Sequence, residues 1–313
     1  MTQKAYNLSK LRVQDPVLTN LALGYHNLDL IGEHLMPVVE IDKEAGKIPT
    51  FGRLAFRLTS TVRELRGKSN RLDPEDIGSI DVALDENDVE FPIDYREESE
   101  AFFSLQHFAV NTTQDVIALG REKKIADLAQ NEANYETGNK VVLSGTSKFS
   151  DKGSDPFKVI GNGITAIKRA TGRKPNVCVI AADVWALLKE HPTVLDKIKN
   201  VQVALIDETT FAKLINVEKV VIGEAVYEDT ADNNAIKDIW TDSVILAYVP
   251  RSSGEKKGSI YEPSYGYTVR RKGGLFVDTY DENGGKVQVV RTTDIHRPHL
   301  VGKPAGYLIK GCI

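Results

Sequence analysis

The sequence predicts an α+β fold in which a compact mixed domain is joined to β-rich extensions. Three observations predict it. Helical patterns and short apolar strands alternate through residues 155–260. Period-two alternation of apolar and polar residues dominates 47–97 and returns from 261 onward. One long helical stretch, 113–135, lies between these regions.

The elements can be justified in chain order. Residues 1–46 form an arm. Asp15 and Pro16 are suited to cap a short helix running to Leu23, and "HLMPVVEID" is extended because Pro37 disfavours helix before it. "EAGK" is expected as a turn. In 47–97, Ile48, Phe51, Leu54, Phe56 and Leu58 lie on one strand pattern. Ile80, Val82, Leu84, Val89, Phe91, Ile93 and Tyr95 lie on another. Together they predict a long two-stranded hairpin with a charged tip. That tip carries Arg63, Arg66, Lys68 and Arg71, then Asp73, Glu75 and Asp76. An isolated hairpin is marginal in water and its edges invite pairing, so this segment is expected to lie on another surface.

Residues 98–154 contain the helix, with a Thr112 or Thr113 cap, Gly138 past its end, and a thin stripe of Val116, Ile117, Ile125 and Leu128. "SGTSKFSDKGSDP" is turn-forming. In 155–260, Asp155 caps a helix with Pro156 at its first position, and "NVCVIA" is a buried strand. The helices "AADVWALLKEH", "PTVLDKIK" and Thr-capped "TTFAKLIN" follow, then the strands "KVVIGEAVYE" and "SVILAYVP". Residues 261–303 are a β-meander turning at Asn283-Gly284, since both residues tolerate positive φ. Residues 304–313 hold one more strand, which needs a partner to stay ordered.

Composition bounds the function. The 313 residues can bury about three-quarters of their unfolded surface and divide into two domains. No apolar run approaches the roughly 18 residues of a membrane-spanning helix, and the N-terminus lacks a signal-peptide core, so the chain is expected in the cytoplasm. The net charge of −4 argues against a dedicated nucleic-acid binder. Cys178 and Cys312 make neither a disulfide framework nor a zinc site, and Cys178 is expected in the core.

Few residues carry chemistry. Gly161-x-Gly163 does not follow a strand and lacks the third glycine of a nucleotide loop. His296 and His299 flank Pro298, which favours a turn with exposed imidazoles over a metal face. Asp278, Asp281 and Asn283 lack the glutamate a calcium loop needs, so a simple hairpin turn is favoured. The cluster Arg270, Arg271 and Lys272 is either a solvated turn or meets acidic groups or phosphate from a partner. No hydrolase, zincin or Walker motif occurs, so no catalytic residue, metal or cofactor is assigned and the chain is not expected to be an enzyme.

The order of segments resembles the major capsid proteins of tailed phages, the Hong Kong 97 fold. The similar stretches are "LTNLALGY", "LIGEHLMPVVEIDKEAGKIPTF", "PNVCVIAADVWALLKEHPTVLDKIK", "VVIGEAVYED", "DIWTDSVILAYVP", "PSYGYTVRR" and "AGYLIK". The resemblance covers nearly the whole chain. It implies an N-arm (1–46), an E-loop hairpin (47–97), a P-domain with spine helix (98–154) and an A-domain (155–260). P-domain return strands (261–303) and a C-terminal strand against the A-domain core (304–313) follow.

It further implies a homo-oligomeric shell of hexamers and pentamers enclosing double-stranded DNA, assembled in the host cytoplasm and forming the virion capsid. Intersubunit contacts would come from Phe51, Arg53, Leu54, Phe56, Arg57, Arg63, Arg66, Lys68, Arg71, Asp73, Glu75 and Asp76. Arg270, Arg271 and Lys272 would face the interior or a neighbour. A portal is an implied partner, and so is a scaffold, expected as a separate protein because no charged helical prefix precedes the arm. A decoration protein is a further partner the resemblance allows. Lys68 has no identifiable asparagine counterpart, so no covalent crosslink is assigned. Two other classes fit less of the sequence: an encapsulin-like compartment shell of the same fold, and an α/β enzyme with a β-rich accessory region.

Overall fold

The computed structural model describes residues 14–25, 27, 29–50, 58, 60–71, 78–199, 206–250 and 262–313. Two sheets and one long helix organise them. The first sheet has the order β1-β11-β12-β4. Its members are β1 (Val38–Ile41), β4 (Asp85–Asp94), β11 (Gly266–Glu282) and β12 (Val287–Leu300). β11 and β12 form the expected hairpin, turning through Asn283 at φ 50° and Gly284 at φ 70°. β1 adds in parallel to β11, and β4 adds antiparallel to β12.

The spine helix α4 (Leu105–Ala129) crosses this sheet. Its 25 residues extend about 37 Å. It starts eight residues before the sequence expectation, at a Ser104 cap that accepts a bond from the His107 amide. Thr112 and Thr113 are not caps. Their hydroxyls donate to the carbonyls of Phe108 and Ala109, the usual solution for threonine inside a helix. The helix ends at Ala129, and Asn131 caps a single 3-10 turn beyond it. Leu18, Ala22, Ile93, Ala109, Val110, Val277 and Val290 bury the contact between helix, sheet and α1 (Pro16–Gly24). That short helix is capped by Asp15, as its sequence predicts.

The second sheet has the order β5-β13-β10-β6-β7. Its members are β5 (Lys140–Val142), β6 (Val177–Ala181), β7 (Lys219–Gly223), β10 (Ser243–Ala247) and β13 (Gly306–Lys310). Helices α5 (Pro156–Thr171), α6 (Ala182–Glu190), α7 (Pro192–Ile198) and α8 (Glu208–Ile215) accompany it, and their apolar residues join its core. Every residue of β6 and β10 is buried, including Cys178. The cap of α8 is Asp207, which accepts from the Thr210 amide, rather than a threonine. β13 lies between β10 and β5, so the strand read from "GYLIK" is interior to its sheet.

A separate two-stranded ribbon pairs β2 (Ala45–Pro49) with β3 (Ser79–Ala83). Two expectations change here. "EAGK" is mostly strand, since Ala45 to Lys47 pair with Ala83 to Asp81. Residues 85–94 do not continue the ribbon; they join β12, where Ile93 enters the helix–sheet core. Alternation reveals that a segment is extended but not which strand it pairs with.

Candidate intersubunit surface

The ribbon is anchored at its base. Ile48 and Val82 are buried against Val39, Tyr267, Val269 and Val301. Beyond the base the character reverses. Leu58, Val62 and Leu65 are 103%, 82% and 91% exposed. Arg63, Arg66, Lys68 and Arg71 are exposed as well. The side-chain bonds described at this tip stay within it: Arg63 donates to the Gly67 carbonyl at 2.8 Å, and Asn70 donates to those of Ser60 and Val62. The predicted contact residues Phe51, Arg53, Leu54, Phe56, Arg57, Asp73, Glu75 and Asp76 lie outside the described residues.

The other predicted cluster is a bulge within β11, between Arg270 and Leu275, rather than a turn. Arg270 donates to Asp294 at 2.8 Å and Arg271 to Glu44 at 2.6 Å. Both cations are therefore engaged inside the subunit, and Lys272 is exposed. The histidines also depart from expectation. They sit in β12, paired across to Arg270 and Tyr267, and not in a turn. His296 is buried, with Nδ1 3.1 Å from Asp294 Oδ2. Proline at 298 is tolerated because, among the described residues, β4 pairs with β12 only as far as His296, so residue 298 faces a free edge where no amide donor is needed.

Two buried charge clusters link separate elements of the subunit, and neither was foreseen. The first centres on Glu122. Its Oε1 accepts from the Ile31 amide and the Trp240 indole, at 3.1 and 2.7 Å, and its Oε2 accepts from the Gly32 amide at 2.7 Å. A β-carbon at position 32 would stand 2.6 Å from Oε2, so glycine permits the approach. This one carboxylate joins the N-terminal segment, the spine helix and the second sheet's surroundings. Burial raises its pKa, and the three N–H donors work in the opposite direction. The signal in the sequence was a glutamate on the apolar stripe, three residues before Ile125.

The second cluster surrounds Asp294. Burial alone would raise its pKa, but the His296 hydrogen bond and the Arg270 charge outweigh it and hold the carboxyl at about 2. Arg121 lies 3.7 Å away and also binds Glu33 at 2.6 Å. Burial lowers the Arg121 pKa.

A ridge of exposed aromatics stands where β4 passes into the spine helix. Phe102, Phe103 and Phe108 are exposed, with Phe103 and Phe91 each edge-on to Phe108. The preceding helix α3 (Tyr95–Glu100) has no buried residue and presents Glu97, Glu98 and Glu100. The signal here was the doubled Phe beside "REESE", which period-two reading passed over. Among the described residues, no three His, Cys, Asp or Glu side chains converge on a metal-binding geometry. No described helix is long and apolar enough to cross a membrane.

The fold is shared by solved structures of phage capsid proteins, which places the chain in the Hong Kong 97-like fold class. The capsid of cyanophage P-SCSP1u shares that fold at TM-score 0.57 and 11% identity, over 90% of this chain and 88% of that one. A phage-related protein from Bordetella bronchiseptica is closer, at TM-score 0.81 and 30% identity over 96% and 98% of the two chains. Residues 21–292 match the profile of the phage major capsid protein E family, and the chain belongs to that family. The major capsid protein of Burkholderia phage BcepMu is 52% identical over 304 residues, covering 97% of this chain and 98% of that protein. The chain is a structural protein of a phage virion, one of the many subunits of its capsid, and not an enzyme.

Proposed function

We propose that the chain forms hexamers and pentamers of an icosahedral shell around double-stranded DNA, and that its hairpin, residues 47–83, reaches across a neighbouring subunit. The observation carrying this reading is the contrast within the hairpin. Its base is packed on its own subunit, whereas Leu58, Val62 and Leu65 are exposed at the tip. Exposed apolar side chains of this kind mark an interaction surface. The N-terminal segment would extend to another neighbour, and the domain built on β5, β6, β7, β10 and β13 would surround the local symmetry axis. Each contact can be weak, because one subunit engages several neighbours and linked contacts multiply. Different patches meet, and such heterologous contacts close into rings.

In this reading a portal and a separate scaffold take part in assembly in the host cytoplasm, and a decoration protein fits the outer surface. Packaged DNA is held without sequence preference on the inner face, where Lys272 is the member of the basic cluster available to it. Deleting residues 60–71 tests the reading. The expected result is a folded subunit that yields no shells by negative-stain microscopy. Normal shells from that deletion would overturn it.

A further inference from the structure

A small enclosed cavity of about 100 Å³ lies between the N-terminal segment, the spine helix and β11. Its walls are polar for an interior. Asn27 and Glu33 come from the first segment, Gln114, Arg121 and Glu122 from α4, and Arg270 from β11. Gln114 is only 7% exposed, and its Nε2 has no hydrogen-bond partner among the described residues. Arg270 Nε has none either, and that side chain is 16% exposed. Asp294 holds Arg270 through Oδ2 at 2.8 Å and leaves Oδ1 without a partner as well. Native interiors rarely keep such groups unpaired, because each one gives up its hydration for nothing. We propose that the cavity is a binding site for about three ordered waters, which bridge the spine helix to β11 and to the N-terminal segment.

The neighbouring protein groups are already committed. Asn27 Nδ2 and the Tyr25 hydroxyl both donate to Asp115, at 2.9 and 2.6 Å. Arg121 donates to Glu33 at 2.6 Å. Glu122 accepts from Ile31, Gly32 and Trp240. Size, charge and hydrogen bonding then select the ligand. A water takes about 30 Å³ in the liquid, so about three fit. A small oxyanion would satisfy the two donors, but Glu33, Glu122 and Asp294 already stand against two guanidiniums, those of Arg121 and Arg270. A fourth buried negative group would have no counterion of its own. A metal cation fits no better, since the unpartnered lining groups, Gln114 Nε2 and Arg270 Nε, are N–H donors. Water accepts from both donors and gives its protons to the lining carboxylates, which have lone pairs to spare. The N-terminal segment is thus seated on the spine helix through Glu122 on one side and through solvent on the other.

Two experiments on the full-length chain test this. A crystal or cryo-electron microscopy map fine enough to show ordered water should contain separate peaks within hydrogen-bond distance of Gln114 Nε2 and Arg270 Nε. No density in the cavity, or one connected polyatomic density, would overturn the proposal. The second experiment turns on a sign. Ala118 lines the cavity, and Ala118→Leu fills it with a residue of similar helix propensity. In a dry cavity the added methyls would recover contacts and raise the melting temperature. Expelling water instead strands Gln114 and Arg270, so the melting temperature should fall by a few degrees. Gln114→Leu separates this loss from steric overfilling. With that donor gone, Ala118→Leu should cost less than it does in the parent chain. An equal cost in both backgrounds, or a rise in the parent, would count against the waters.

Discussion

The five-stranded sheet and the hairpin tip treat apolar residues in opposite ways. In the sheet, β6 and β10 are buried on every residue, and β13 is covered on both edges by β5 and β10. At the tip, Leu58, Val62 and Leu65 face solvent almost completely. Burial stabilises by about 25 cal/mol per Å² of apolar surface, so the first region holds the subunit's own folding energy. If the hairpin takes the proposed intersubunit role, the second holds energy released only on association. On that reading the subunit divides its hydrophobic residues between folding and assembly, and mutations in the two regions should fail at different stages.

The largest break would come in the sheet. Deleting residues 306–310 would strip β5 of its strand partner among the described residues and uncover β10. The expected loss is comparable to the whole stability of a domain, about 5–15 kcal/mol. Circular dichroism should show no cooperative melting transition.

Smaller effects should follow at the two buried charge clusters. Glu122→Gln places an amide donor among three N–H donors, and should cost about 1–3 kcal/mol in denaturant unfolding. Asp294 sharpens the comparison through pH. Its folded pKa lies below its ordinary value of 3.8, at about 2. Its contribution is therefore fully present above about pH 4 and is lost as the pH falls through 2, an amplitude of about 2 kcal/mol. Asp294→Asn should flatten that part of the stability–pH curve in acid titrations followed by fluorescence.

The smallest effect on stability should accompany the largest on assembly. Leu65→Ser touches no buried neighbour and should shift subunit stability by less than about 0.5 kcal/mol. Particle yield should nonetheless fall when counted by sedimentation. A large drop in melting temperature would show that the tip serves folding after all, and would erase the division between the two regions.

How much of this was legible depended on the range of the interactions. Local chemistry read well. Asp15-Pro16, Asp155-Pro156 and Asn283-Gly284 each act over a few residues and stand where expected. Pairing read poorly, because Asp85–Asp94 is extended in either partnership and only the fold selects β12. The helix start was missed because Leu105–Asn111 includes residues of modest helix propensity, and packing of Ala109 and Val110 decides the matter. At the candidate surface, the clustered charge of Arg63, Arg66, Lys68 and Arg71 pointed to their exposure. Glu122 was missed because its partners Trp240 and Gly32 lie far off in sequence, and Asp294 because its near partner His296 was expected in an exposed turn and its cations Arg270 and Arg121 come from other elements. The ridge escaped notice because a doubled aromatic resembles core until its exposure is known.

The position of β13 bears on timing. Residues 306–310 fill an inner place in a sheet whose other strands are made earlier, beginning with Lys140. While the ribosome is still upstream of them, β10 and β5 face an empty slot between them, and that half of the subunit stays unfinished. A chain that stops short of residue 306 should therefore leave this sheet without one of its inner strands.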